Sequence, residues 1–204
     1  MTTYRLLNNV FDFKEAFVDF KMMRKNYTQL RVGFNEDNIS LYDNLKSKWQ
    51  PVDVSFDKSS NGKKDTVTPD LSVWNMSCLV LSEKATNALN TFLEPYGEFL
   101  PLNNGYSLFN CLTSIDTSCV DGSQSSFEME FTGTDTNELL GNPKKLVLLD
   151  SALKGKEIFK PGFSYNSFLI CQDSFKSAVE KSMLGGLIFE QDLAQIFPRK
   201  LLKV

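Results

Sequence analysis

Glu128 and Glu130 are the pair of side chains in this sequence that comes nearest to a catalytic arrangement. They lie in residues 127–131, where apolar and acidic residues alternate, and this alternation predicts a β-strand. Residues i and i+2 of a strand point to the same face, so the two carboxylates would stand side by side. Paired carboxylates can serve as acid and base in glycoside hydrolysis. Alternation is equally expected of a half-exposed strand with a charged outer face, and we favour that interpretation.

The other candidate motifs each lack something that their chemistry needs. Asp116 and Asp121 lie near Cys119 but do not have the ligand spacing of a calcium loop, so a capped turn is favoured. Ser82 has no flanking glycine, and the chain contains no histidine that could activate it as a nucleophile. Residues 185–186, two glycines, lack the Lys and Ser/Thr of a phosphate-binding loop. We therefore predict no catalytic residue, no cofactor and no metal site.

Composition predicts a folded protein without disulfides. The chain has 204 residues, 42% of them hydrophobic and 17 of them phenylalanine, which suffices for the core of a single domain. No CxxC pair occurs, so we expect reduced core thiols at Cys78, Cys111, Cys119 and Cys171. The N-terminal residues show no signal-peptide pattern and no stretch of about 18 apolar residues occurs, so we expect a cytoplasmic protein without a membrane partner.

Charge is distributed unevenly along the chain. Residues 67–143 carry a formal charge of −9, because Lys84 is their only cation, whereas residues 1–66 carry +2 and residues 144–204 carry +4. Such asymmetry can mark a surface for a cationic partner, or it can be solubilising charge spread around the domain. The basic residues are too scattered to predict nucleic-acid binding. The acids that we consider for a partner surface are Asp116, Asp121, Glu128, Glu130, Asp135 and Glu138.

Trp74 and Tyr96 are the aromatic candidates for anchoring a partner. Both lie within the acidic segment, and an exposed aromatic ring beside carboxylates is typical of an interface anchor. The alternative for Trp74 is a place in the core.

Hydrophobic patterns predict the elements that would position these side chains. Spacing of three and four between phenylalanines predicts a helix over residues 12–27. Turn residues and alternation predict a strand at each of the following ranges: 4–7, 29–34, 39–42, 51–56, 77–81, 98–102, 106–115, 127–131, 168–171 and 187–189. Residues 192–204 are predicted to form a basic amphipathic tail.

A strand, a helix cap and a helix occur twice in the same arrangement. Residues 79–89 and 169–179 align without gaps, with Ser82 and Asp173 as the predicted N-caps. Strands and helices in this order predict an α+β protein with a mostly antiparallel sheet on which the strand–cap–helix units pack.

Six motifs in a fixed order resemble the immunity proteins of bacterial polymorphic-toxin systems, namely immunity family eleven. The resemblance covers residues 51–190 and is looser at the opening YRL of the more variable residues 1–50. The chain departs from the family at Lys160 (usually Arg), at Gly185 (usually Thr) and after Asp116, where the family commonly has Leu-Asp, and its tail 191–204 is longer than expected. The motifs are PDLSVW (69–74), LVLSEKATNAL (79–89), GEFLPL (97–102), YSLFNCLTSID (106–116), IFKPG (158–162) and FLICQDSFKSAVEKSMLGGLIF (168–189).

This resemblance implies one immunity-type domain over residues 1–204 that binds a toxin in the cytoplasm. Inhibition would be by occlusion and without catalysis, and a toxin with a cationic surface would complement the acidic segment. Two alternatives stay open: an enzyme that reverses toxin damage through Glu128 and Glu130, and an effector-specific chaperone or adaptor.

Overall fold

Thirteen strands and two α-helices form the parts of the chain that the computed structural model describes, which are residues 2–19, 44–47, 49–57, 65–75, 77–128, 140–165 and 167–198. The helices are α1 (Glu83–Leu93) and α2 (Asp173–Lys181). The strands are β1 (Thr3–Asn8), β2 (Glu15–Val18), β3 (Val54–Asp57), β4 (Leu71–Trp74), β5 (Cys78–Leu81), β6 (Gly97–Pro101), β7 (Ser107–Cys111), β8 (Ser114–Ile115), β9 (Ser126–Phe127), β10 (Pro143–Lys145), β11 (Ile158–Pro161), β12 (Ile170–Gln172) and β13 (Leu187–Glu190).

The strands form two main sheets and two ribbons. One sheet has the order β4-β5-β7-β6 and is antiparallel throughout. The other has the order β13-β1-β12-β11-β8 and is antiparallel except where β8 runs parallel to β11. The ribbons are β2-β3 and β9-β10. The prediction of an α+β fold with mostly antiparallel strand pairing is confirmed, but the strands are divided between two sheets and two ribbons instead of the one sheet that was predicted.

The two sheets contain equivalent units. In the first, a helix follows β5 and leads into β6, giving the order β4-β5-β7-β6. In the second, a helix follows β12 and leads into β13, and the corresponding order is β11-β12-β1-β13. In the second sheet, β1 therefore occupies the position that β7 occupies in the first. β1 comes from the other end of the chain.

Burial confirms that the two aligned segments are structurally equivalent. Leu79 and Leu81 of β5 pack in a central cluster with both helices, and the aligned Leu169 and Cys171 pack in the same cluster. The residues between them point the other way: Val80 packs beneath the β2-β3 ribbon, whereas Ile170 packs in a third cluster on the outer side of the five-stranded sheet. Both segments are thus buried on two faces, as their continuous apolar runs require.

The N-terminus of α1 follows the prediction, whereas that of α2 does not. Ser82 is the N-cap of α1, and its Oγ accepts a hydrogen bond from Ala85 N at 3.2 Å. The N-cap of α2 is Gln172, without a side-chain hydrogen bond, so Asp173 is the first helical residue instead of the predicted cap. The Asp173 carboxylate is engaged elsewhere, because it accepts hydrogen bonds from Tyr4 Oη at 2.9 Å and Thr2 N at 3.1 Å.

The helix predicted over residues 12–27 is wrong in its described part. Residues 15–18 form β2, whose backbone pairs with β3, and Ala16 and Val18 point inward while Phe17 is 49% exposed. The backbone pairing of β2 with the distant strand β3 outweighs the helical spacing of the phenylalanines. Local helix propensity contains no information about that pairing. Residues 20–27 lie outside the described residues, as do the strands predicted at 29–34 and 39–42.

Other predicted elements differ in extent, including the strands predicted at 51–56 and 168–171, which are observed as β3 and β12. The strand predicted at 106–115 is broken into β7 and β8, because Leu112 N and Thr113 N donate to Tyr96 O as the chain passes from one sheet to the other. The strand predicted at 127–131 is described only as β9, and residues 129–131 lie outside the described residues. Residues 192–198 of the predicted amphipathic tail form turns without a helix.

Asn8 joins the two sheets through its side-chain amide. Its Oδ1 accepts from Val73 N at 2.6 Å and from Ser72 Oγ at 3.2 Å, and its Nδ2 donates to Val73 O at 2.9 Å. The amide therefore takes the place of a peptide group beside β4.

Replacing Asn8 by alanine is expected to lower the free energy of unfolding by about 2–4 kcal/mol, because both main-chain groups of half-buried Val73 lose their partner. Urea denaturation would measure this. Asn90→Ala, at an exposed position of α1, is the control and should change stability by less than about 0.5 kcal/mol. Equal effects of the two substitutions would show that the sheets do not depend on Asn8.

Candidate functional site

The cysteines are placed as core residues. All four are free and buried. Burial raises the pKa of the Cys78 thiol to about 12 and that of Cys111 to about 11, so both stay protonated at neutral pH and are poor nucleophiles. Within the described ranges, no three or more His, Cys, Asp or Glu side chains are grouped as metal ligands. None of the described helices combines the length and apolar character needed to cross a membrane.

Trp74 and Tyr96 each pack against a hydrophobic cluster. Trp74 is half-buried against the cluster beneath the β2-β3 ribbon. The Tyr96 ring is half-buried against the central cluster, with its centroid 6.3 Å from that of Phe92, and burial raises the pKa of its phenol. Neither ring stands fully exposed beside the acidic side chains.

Two acids of the −9 segment have structural roles. The Asp70 carboxylate accepts hydrogen bonds from Ser82 Oγ at 3.1 Å and Gly185 N at 3.1 Å, and it forms an ion pair with Lys84 at 3.5 Å. Asp70 thus holds the turn after α2 against the start of α1.

Glu98 is 5% exposed, and its carboxylate binds three N–H donors. Leu45 N donates to Oε1 at 2.7 Å, Lys46 N donates to Oε2 at 2.9 Å, and Asn110 Nδ2 donates to Oε1 at 2.9 Å. Lys160 is also buried, at 1% exposed. These charges therefore belong to the interior.

Three of the predicted partner-binding acids lie on one surface feature, which we call the outer ribbon (residues 116–128 and 140–150). Its two segments run antiparallel, since Leu149 N donates to Cys119 O at 2.9 Å, Asp121 N to Val147 O at 2.9 Å, and Glu128 N to Asn142 O at 3.1 Å. Asp116, Asp121 and Glu128 follow one another along this ribbon. Glu130, Asp135 and Glu138 lie outside the described residues.

The carboxylates of Asp116 and Asp121 are held in capped turns. Asp121 Oδ1 accepts from Ser123 N at 3.0 Å, and its Oδ2 accepts from Gln124 Nε2 at 2.6 Å. The hydrogen bond from Ser123 Oγ to Oδ1 at 2.6 Å, followed by that from Gln124 Nε2, lowers the pKa of Asp121. Asp116 likewise accepts from Ser118 N at 2.9 Å. The capped-turn prediction is confirmed, and the acids are presented in fixed orientations.

Apolar side chains fix the outer ribbon to the five-stranded sheet. Phe127 and Leu146 are buried against Phe159 and Ile170, which point outward from β11 and β12. The rings of Phe127 and Phe163 meet edge to face with centroids 5.8 Å apart. The ribbon is therefore a packed layer of the molecule.

Tyr165 is the exposed aromatic residue beside the ribbon, and sequence reasoning missed it. Its side chain is 42% exposed, and its backbone has φ 54° at the end of a short 3-10 turn, Gly162–Ser164. That turn is joined to the ribbon, because Leu140 N donates to Phe163 O at 2.7 Å and Ser164 Oγ donates to Gly141 O at 2.7 Å. The only sequence signal was the Pro161-Gly162 pair, which indicates a turn but not which side chain the turn exposes.

The surface offers groups suited to binding. It presents exposed carboxylates, the exposed lysines Lys144 and Lys145 on the second segment, and the ring of Tyr165. A shallow cavity of about 390 Å³ borders the ribbon between Thr2, Leu148, Asp150 and Gln191. Asp150 is the one titratable side chain among the residues that line this cavity, so an acid–base pair is not assembled there.

No protein-family model matches the chain, and no curated protein matches its sequence.

Proposed function

We propose that this protein is an immunity protein that binds a cognate toxin in the bacterial cytoplasm and blocks it by occlusion, without catalysis. The proposal is supported by the six motifs that resemble immunity family eleven, since each of them contains at least part of a strand of the two sheets. Those motifs form the scaffold, and the outer ribbon lies largely outside them. Toxin specificity would accordingly reside in the ribbon.

The observation that carries the proposal is the fixed presentation of acids on the ribbon, where Asp116 and Glu128 are exposed and Asp121 is half-buried. Asp116 and Asp121 are held by hydrogen bonds from their own turns, and Glu128 is exposed at the end of the first segment of the ribbon. Acids that are already oriented lose little conformational freedom when they bind. They also speed the approach of a cationic partner by electrostatic steering.

The experiment is a titration of toxin activity with this protein, using the toxin encoded beside its gene. We expect inhibition to be complete at one equivalent and to persist without turnover. Complete rescue at far less than one equivalent, lost on Glu128→Gln or Glu130→Gln, would instead establish an enzyme that reverses damage. A requirement for toxin export, with no effect on toxin activity, would establish a chaperone or adaptor.

Reversing the three ribbon acids should slow association with the toxin. The variant Asp116→Lys/Asp121→Lys/Glu128→Lys is expected to lower the association rate constant about 10- to 100-fold at low salt and to reduce its dependence on ionic strength. Stopped-flow or surface plasmon resonance at several salt concentrations would measure both quantities.

The matched control makes the same change of net charge away from the ribbon. Glu83→Lys/Glu94→Lys/Glu180→Lys alters exposed positions on or next to α1 and α2 and should affect the rate much less. Equal slowing by the two triple variants would mean that net charge matters and the ribbon is not the interface.

A further inference from the structure

Two large side chains are held in a backbone conformation that favours glycine. Among the described residues, the non-glycine residues with positive φ are Asn75, Asn104, Tyr165 (φ 54°) and Met183 (φ 50°). Asparagine tolerates this region because its side chain can hydrogen-bond locally, whereas tyrosine and methionine are strained there. Strained residues of this kind persist where structure or function requires them.

The conformation of Met183 follows from the end of α2. Met183 N donates to Glu180 O at 3.0 Å, and Leu184 N donates to Val179 O at 3.2 Å, which is the pattern of a helix that ends in a left-handed residue. Its side chain is 82% exposed and lies off the outer ribbon. Met183 is therefore a second side chain that is both strained and exposed, and it lies away from the outer ribbon.

Tyr165 combines the same strain with a place at one end of the outer ribbon. The hydrogen bonds that join its turn to Leu140 and Gly141 bring it to the end of the ribbon where Glu128 N bonds Asn142 O. A glycine would fit the turn with less strain, so the conformation alone does not account for a tyrosine. Tyrosine is enriched at protein interfaces, because its large ring contributes contact area at little cost in conformational entropy.

We propose that Tyr165 is an aromatic anchor of the toxin-binding surface, on which an arginine or lysine side chain of the toxin packs. This inference rests on the proposed function. A cation over a tyrosine ring is attracted by the ring's quadrupole, and a carboxylate such as Glu128 at the same end of the ribbon adds to that attraction. Lys144 and Lys145 lie on the neighbouring strand β10, so the toxin surface should present acidic groups next to the cation.

The test is the affinity of Tyr165→Gly for the catalytically inactivated toxin encoded beside this gene, measured by isothermal titration calorimetry. Loss of the ring should raise Kd at least 10-fold, while relief of the backbone strain leaves Tm unchanged or higher. Tyr165→Phe keeps the ring and should bind within about threefold of the parent. Tyr165→Asn, which also suits the left-handed region, serves as a second ring-deleting variant and should weaken binding as much as Tyr165→Gly.

Met183→Gly is the matched control, because it makes the same relief of strain away from the ribbon. It should raise Tm and leave Kd within twofold. Binding by Tyr165→Gly and Tyr165→Asn within twofold of the parent would overturn the inference, and so would an equal loss of affinity in Met183→Gly. Absence of binding by the parent protein would overturn the proposed function and this inference with it.

Discussion

Alanine in place of Gly186 is expected to lower the free energy of unfolding by about 3–5 kcal/mol. Gly186 has φ +125°, and a Cβ added there would lie 2.0 Å from Leu71 O and 2.6 Å from Pro69 Cβ. Leu71 cannot easily move away, because its N–H is bonded to Gly185 O at 3.0 Å. The substitution therefore combines backbone strain with a clash against a main-chain oxygen.

Gly155→Ala separates these two contributions. Gly155 also has positive φ, at +77°, but nothing lies within 4 Å of an added Cβ. Gly155→Ala should lower the free energy of unfolding only by the cost of backbone strain, about 1–2 kcal/mol. Urea denaturation of both variants would measure the difference. If Gly186→Ala lost no more stability than Gly155→Ala, the close approach of Gly186 to Leu71 would have to relax at little cost.

Removing the Glu98 carboxylate is expected to destabilise the protein by a similar amount, about 3–5 kcal/mol. Glu98→Ala leaves Leu45 N, Lys46 N and Asn110 Nδ2 without their acceptor in a site where the glutamate is 5% exposed. Hydrogen bonds to a charged group contribute about 1.5–3 kcal/mol each, and unsatisfied buried donors add a desolvation cost. The loss should also free residues 44–47 from the four-stranded sheet.

Amide hydrogen exchange tests that second effect directly. In Glu98→Ala the amides of Leu45 and Lys46 should lose their protection, whereas Glu94→Ala, at an exposed position, should leave it intact. Glu98→Gln should lie between the two, because its amide keeps one acceptor oxygen but turns an NH2 group toward a donor. Retained protection in Glu98→Ala would show that other contacts hold the segment.

Elements whose signals are local could be predicted from the sequence. Ser82 followed by a helical stripe of Ala85, Leu89 and Leu93 gave the correct cap and helix, because a cap and its helix are made by neighbouring residues. The turn with Asn104 at φ 64° likewise joins the predicted strands. The spacing of Phe13 and Phe17 was misleading, because only Phe17 lies in β2 and the pairing of β2 with β3 is set by residues about 40 positions away.

The candidate site could be predicted only in part. The acids of residues 67–143 do not form one surface patch. Asp70 and Glu98 accept hydrogen bonds within the fold. Asp116, Asp121 and Glu128 lie on the outer ribbon. Sequence spacing carries no information about which carboxylate meets a distant main-chain N–H. Tyr165 was missed for a related reason, because its exposure depends on a turn that packs against residues 140–141.

The place of β1 between β12 and β13 sets the order of events during synthesis. β1 is translated about 160 residues before β12, so at about 5–20 residues per second its two edges wait on the order of 10 s for their partners. During that interval the buried side chains of Tyr4, Leu6 and Leu7 have no sheet to cover them. We expect the nascent chain to be recognised by ribosome-associated chaperones through this segment until β13 has emerged.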